Sequence, residues 1–260
     1  MGADVDSAAL GAWIAEEVRH SLEGWVAAVL LWGCVAASSL VLGALLGLVR
    51  RWRHGPIGVV LGFGAGALIS SVSFELVAEG FQLGGPLPLT LGIVAGALTF
   101  FLADRGVARL GHRLGGGAAG LPLALGALLD GIPEQAVLGI GMAQGQGVSV
   151  ALLVAIFVSN LPEAIGSSTD MKVGGVRPRV IILLWVAVAA ICALATVGGY
   201  VVASVTAERF EGAVDGFAAG ALLVMLVGSM IPEATAKAGE KTGLAAVLGF
   251  AVAAGLSAVS

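Results

Sequence analysis

Eight apolar stretches, at about 24–49, 57–79, 87–103, 121–143, 147–168, 180–205, 213–235 and 242–259, take up nearly all of the chain. Each comes close to the roughly 20 residues that an α-helix needs to cross about 30 Å of hydrocarbon. Lipid offers no hydrogen-bond partner to open backbone groups, so every crossing must be a helix. The expected fold class is an all-α polytopic membrane protein of eight transmembrane helices, with residues 1–23 as an extracytoplasmic segment and 24–260 as the membrane domain. Composition agrees: charged residues make up 12% and the mean hydropathy is +1.02, against about 25% charged in globular domains. Residues 1–23 are acidic and mixed, with Asp4, Asp6, Glu16, Glu17 and Glu23 against Arg19, and suggest a short helix at the membrane surface. Nothing in the chain points to nucleic acid as a partner.

The basic residues orient the bundle. Arg50, Arg51 and Arg53 follow the first stretch, Arg105, Arg109 and Arg113 the third, Lys172, Arg177 and Arg179 the fifth, and Lys237 and Lys241 the seventh, which is eleven of the 13 Lys and Arg. All fall on one side of an eight-helix chain, which the positive-inside rule makes cytoplasmic, with both termini outside. Trp13, Trp25, Trp32, Trp52 and Trp185 lie mostly near helix ends and read as interface anchors. Cys34 and Cys192 sit in separate apolar stretches and offer neither a disulfide framework nor a CxxC clip. His20, His54 and His112 fall in predicted termini or loops and read as solvated side chains.

Glycine is frequent, 41 of 260, and lies inside the helices, where small residues allow close helix approach. The segments GFGAGAL (Gly62 to Leu68) and GFAAGAL (Gly216 to Leu222) are near copies in helices of opposite direction, which suggests an inverted repeat. A second pair supports it: DGIPE (Asp130 to Glu134) and SNLPE (Ser159 to Glu163) stand in neighbouring antiparallel helices near mid-membrane.

Within the eight stretches the ionisable residues are Glu75, Glu79, Asp130, Glu134, Glu163, Asp215 and Glu233, with no Lys, Arg or His. An ionised group at mid-membrane costs several kcal/mol and normally marks an interior or a pathway. With acids alone, the balancing charge must come from protons or bound cations. Asp130 and Glu134, four apart, share a helix face, as do Glu75 and Glu79, while Asn160 and Glu163 are three apart. Pro133 and Pro162 cannot donate to the carbonyls of Leu129 and Val158, which adds free oxygens near the acids. Asp215 and Glu79 fall near the outer ends of their helices, where Asp215 reaches water, and Glu233 near an inner end.

The paired Pro-Glu helices, the eight-helix count, the outward termini and GSMIPEA (Gly228 to Ala234) resemble the ZIP divalent metal transporters. That resemblance implies a mid-membrane metal site formed by helices 4 and 5. In the family motif Asp130 takes a histidine place, Gly131 an asparagine place, and Pro133 and Glu134 match, while Gln135 replaces a glycine. In helix 5, Ser159 and Asn160 take ligand places and Pro162 and Glu163 match. The imidazoles are gone and oxygen donors remain, a set that suits manganese, iron, magnesium or calcium as well as zinc. Helix 6 contributes no carboxylate, only Cys192, and the histidine-rich loop common between helices 3 and 4 is reduced to Asp104–Gly120.

The expected function is therefore transport of divalent metal across a membrane, toward the cytoplasm, with zinc, manganese or iron as substrate rather than as a tightly bound cofactor. The expected metal-contacting residues are Asp130, Glu134, Ser159, Asn160, Glu163, Glu75, Glu79 and Glu233. No covalent chemistry is implied, so the chain is not read as an enzyme. The bilayer, the metal and a second copy of the chain as a homodimer are the expected partners, and the cell membrane the expected location. Two alternatives remain: a proton-linked carrier of another solute, and a non-transporting metal sensor or scaffold.

Overall fold

The computed structural model describes residues 7–50, 52–114, 121–145, 147–207 and 210–258, with side chains described within 24–50, 52–109, 125–145, 147–207 and 210–258. Arg51, Asp4 and Asp6, and the side chains of His20, His112, Arg113, Trp13, Glu16, Glu17 and Glu23, lie outside these limits. Among the described residues the chain is helical with no strand, in eight rods: α1 Ser7–Val49, α2 His54–Gly84, α3 Pro86–Leu114, α4 Leu121–Ala143, α5 Val150–Val173, α6 Pro178–Val205, α7 Glu211–Ala238 and α8 Lys241–Ser257. Six carry segments long and apolar enough to cross a membrane: Gly24–Val49, His54–Gly84, Pro86–Arg109, Val150–Val173, Pro178–Val205 and Glu211–Ala238. At 17 residues α8 is shorter, about 26 Å at 1.5 Å per residue. The all-α polytopic fold expected from the sequence is the fold observed.

Helix limits differ from the apolar stretches at informative places. At 43 residues, α1 is about 65 Å long, so it extends well beyond its apolar part. What reads as a loop from Asp104 onward is helix up to Leu114, which carries Arg105 and Arg109 on an extension of α3. Likewise α7 runs on to Ala238 and takes Lys237 into its last turn. At the end bearing these basic residues, Lys172 Nζ donates to Leu48 O at 2.5 Å, closing a carbonyl in the last turn of α1, and Trp52 Nε1 donates at 3.0 Å to Leu46 O, which also accepts from Arg50 N. Trp185 is not an interface anchor. It is fully buried, packed with Leu40, Ile181 and Met171 among α1, α5 and α6, because its helix runs through the bundle interior at that point.

Packing divides the rods into two groups. In one, α1, α4, α5 and α6 pack mainly on one another; in the other, α2, α3, α7 and α8 do the same, and α2 against α5 is the main contact between groups. The pairs α2 with α8 and α7 with α3 correspond under an exchange of α2 with α7 and α3 with α8, and α1 with α5 corresponds to α6 with α4. The glycines give this repeat an atomic form. A Cβ on Gly249 would lie 1.9 Å from Phe63 O, and one on Gly96 would lie 1.9 Å from Phe217 O, at equivalent points of the two near-copied segments. Gly66 against Ala246 O, at 1.8 Å, is matched by Gly220 against Ile93 O, at 2.1 Å. Four helices, α3 to α6, lie between α2 and α7, so with successive rods antiparallel the two copies run in opposite directions. Replacing Gly66 with valine forces α2 and α8 apart at a backbone contact; overpacking typically costs about 1–3 kcal/mol, and the variant is expected to unfold at a clearly lower temperature in detergent.

The copies also share an irregularity. α2 contains a π-helical turn at Val72–Val77 and α7 one at Leu226–Met230, and counting from Gly62 and Gly216 both begin at the same place. Such turns insert an extra residue and re-aim the side chains that follow. Here they carry Glu75 and Ser229 at equivalent positions, with Glu79 and Glu233 equivalent one turn later.

Candidate metal centre

Asp130 and Glu134 project from α4, Glu163 from α5 and Glu233 from α7, and together with Leu61, Met225 and Met230 they line one cavity. Its volume is about 10 Å³, at the lower limit for a single water. Both packing groups contribute to it: the first three acids come from one, and Glu233 with the two methionines from the other. Helices α4 and α5 continue through Pro133 and Pro162. Glu134 is buried, whereas Asp130, Glu163 and Glu233 are partly exposed. Among the described residues, however, no three His, Cys, Asp or Glu side chains are drawn together closely enough to hold one metal ion in this conformation. The acids share a cavity without forming a closed ligand shell.

Hydroxyl groups arrange the carboxylates. Ser159 Oγ donates to Glu134 Oε1 at 3.2 Å while also lying 3.0 Å from Ile156 O. Ser229 Oγ lies 3.0 Å from Asp130 Oδ2 and 3.0 Å from Met225 O. Gly64 of α2 makes the first arrangement possible, since a Cβ there would come within 2.9 Å of Ser159 Cα. Asn160 is buried beside Glu134, and its Nδ2 has no hydrogen-bond partner in satisfactory geometry. A buried amide left in that state costs on the order of 1–3 kcal/mol, the kind of local deficit that collects at functional sites.

Gly131 has a steric reason. A Cβ there would lie 2.7 Å from Cys192 Sγ, so the thiol of α6 fills the space that a side chain at 131 would use. Cys192 is fully buried and lies within the field of Glu134 and Glu163. Gln135 is turned away from the cavity: Thr196 Oγ1 donates to its Oε1 at 2.7 Å, tying α4 to α6.

Glu75 and Glu79 do not join the four-acid cavity. Glu75 Oε1 accepts from Ser149 Oγ at 2.9 Å and from Ser257 Oγ at 3.0 Å, near Gln144 at the end of the bundle away from the arginines. Ser149 also caps α5, accepting from Leu152 N at 3.1 Å. Glu79 lies in the field of both Glu75 and Asp215. Asp215 does not reach water as its helix-end position suggests. It is fully buried, with Oδ1 accepting from Gln144 Nε2 at 2.9 Å and Oδ2 unpartnered, because α7 is covered there by α2 at Gly80.

One expectation is overturned. The site does have a positive charge inside the helices: Lys237 Nζ meets Glu233 Oε1 at 2.5 Å, one turn away on α7. The apolar stretch stops at Thr235 because lysine stands two residues on, yet the helix does not stop there. Ser229 also escaped the sequence reading. A signal for it was present, since Ser229 to Glu233 is a third copy of the pattern that ends in an apolar residue, Pro and Glu.

A cavity of about 990 Å³ lies on the other face of α4 and is lined by apolar groups including Pro133, Phe100, Val202 and Phe217. It separates α3 and α7 from α4 and α6, so this side of the boundary between the groups is loosely packed, whereas α2 and α5 are in close contact on the other.

A search against protein-family models finds no match. Among curated proteins the chain is similar to one from Arabidopsis thaliana named "Putative zinc transporter At3g08650", 29% identical over 221 residues, which covers 80% of this chain. The chain spans 35% of that relative's length.

Proposed function

We propose that the chain carries divalent metal cations across a membrane by way of the cavity between α4, α5 and α7. The observation that carries this reading is the convergence of Asp130, Glu134, Glu163 and Glu233 on one cavity, with Lys237 as the basic side chain bonded to the group. Four carboxylates against one ammonium leave an excess of negative charge where water is scarce. Such a group needs protons or cations to be stable. The similarity to a protein named for zinc transport favours the cation.

Zinc is the substrate that the relative's name suggests, and the oxygen-rich donor set extends the choice to manganese and iron(II). Asp130, Glu134 and Glu163 would supply carboxylate oxygens, with Asn160 and Ser159 orienting them. Cys192 is a softer donor within reach of a small rearrangement. Release is toward the arginine-rich end, cytoplasmic by the positive-inside rule, which makes this uptake through a cell membrane with both termini outside. The cavity is shared by two helix groups whose boundary is tight at α2 and α5 and loose beside Pro133. Rocking of one group on the other would open it alternately to each side.

Uptake into proteoliposomes tests the proposal. Zinc(II) is expected to accumulate above the level of empty vesicles, with manganese(II) and iron(II) competing. Because protons and metal compete for the same oxygens, binding is expected to weaken as pH falls from about 7.5 to 5.5. A second reading, a proton-linked carrier of another solute, is favoured by the open arrangement of the acids, which hold no closed metal shell. Vesicles that accumulate no divalent metal, together with protein that binds none, would leave that reading and a non-transporting scaffold.

A further inference from the structure

The geometry assigns Lys237 a role as the release-side gate of the carboxylate cavity: a tethered cation that takes over Glu233 as the metal departs and keeps the metal from returning. The proposal rests on the metal-transport reading above. Its basis is positional. The Lys237 side chain is 16% exposed, less than the 38% of Glu233 to which it is bonded, so the ammonium is turned inward and not toward solvent. Its stem lies against α2, where a Cβ on Gly58 would come within 2.7 Å of Lys237 Cβ. Its tip lies against α5, where a Cβ on Gly166 would come within 2.9 Å of Nζ. Two glycines therefore leave the track along which the side chain crosses from α7, past α2, to α5.

That track ends one turn from Glu163, and the lysine charge acts on Glu163 as well as on Glu233. A divalent ion approaching Glu233 meets the repulsion of the ammonium bonded to its Oε1, a repulsion relieved when the lysine side chain swings aside. Once the ion leaves, the ammonium can return and neutralise the exposed acid. The repeat shows that the device belongs to one end only. Glu79 of α2 is equivalent to Glu233, but the position equivalent to Lys237 is Leu83. Opposite ends of an otherwise two-fold related pathway thus differ in a fixed positive charge, which biases release toward the arginine-rich side.

The test is equilibrium binding of zinc(II) alone to the detergent-purified full chain, together with proteoliposome uptake. Lys237→Met keeps the length of the stem and removes the charge. A unit charge within several Å of a divalent ion in a partly buried site is a large effect, and the variant is expected to bind zinc on the order of tenfold tighter while transporting it more slowly. Lys237→Arg is expected to restore the affinity of the parent protein, and Lys237→Gln serves as a second neutral variant if methionine impairs folding. A purely structural role would loosen binding or leave it alone, not tighten it. Parent protein that binds zinc while neither neutral variant binds it tighter would overturn the gate and leave the transport reading intact. Parent protein that binds no zinc would overturn both.

Discussion

Glu163→Gln is expected to lower zinc uptake by at least about a hundredfold without unfolding the protein, and Glu134→Gln is expected to do the same. Glutamine keeps the shape of the side chain and one carbonyl oxygen but not the charge. Loss of a supporting group around a metal typically costs about 10–100-fold, and loss of an anionic donor from a site of low dielectric should reach the upper part of that range or pass it. Stability should respond differently. Breaking a buried ion pair is costly because a charge is left alone, but Glu134 is bonded to the Ser159 hydroxyl and not to a cation. An amide oxygen accepts that bond equally well. Thermal unfolding in detergent should therefore stay close to that of the parent protein while uptake collapses. Unchanged uptake by either variant would remove α4 and α5 from the pathway.

Asp130→His should change which metal is preferred. Asp130 stands at the partly exposed margin of the cavity and takes one hydroxyl contact, from Ser229, which an imidazole nitrogen could also accept. Imidazole favours zinc over manganese far more than carboxylate does. The ratio of zinc to manganese affinity, measured by competition on purified protein, is expected to rise by tenfold or more. A ratio that stays put would mean that Asp130 does not touch the ion and acts only through Ser229.

Much of this was open to sequence reasoning, for a simple reason. A carboxylate in an apolar helix stands out, so Asp130, Glu134 and Glu163 are legible, and their shared cavity follows from helix spacing and the matched Pro-Glu segments. The near-copied glycine segments disclosed the repeat, whose contacts the glycines then define down to carbonyl oxygens. Other groups were hidden because they blend with their surroundings. Ser229 and Cys192 are small and unremarkable in an apolar run, and only the fold brings one to Asp130 and the other against Gly131. Lys237 was lost to a boundary drawn by hydropathy, which registers the end of an apolar stretch rather than of a helix. Asp215 and Glu75 illustrate the converse. Their depth depends on what covers them, here Gly80, Gln144, Ser149 and Ser257 from other segments, and no local pattern reports that.

The central claim is that the four acids line the path of a divalent ion. Crystals of the protein equilibrated with manganese(II) and measured near the metal's absorption edge test it most directly. The account predicts an anomalous peak between Glu134 and Glu163, absent from the Glu163→Gln variant. A manganese peak confined to the bundle ends, with the cavity between α4, α5 and α7 empty at saturating metal, would contradict it.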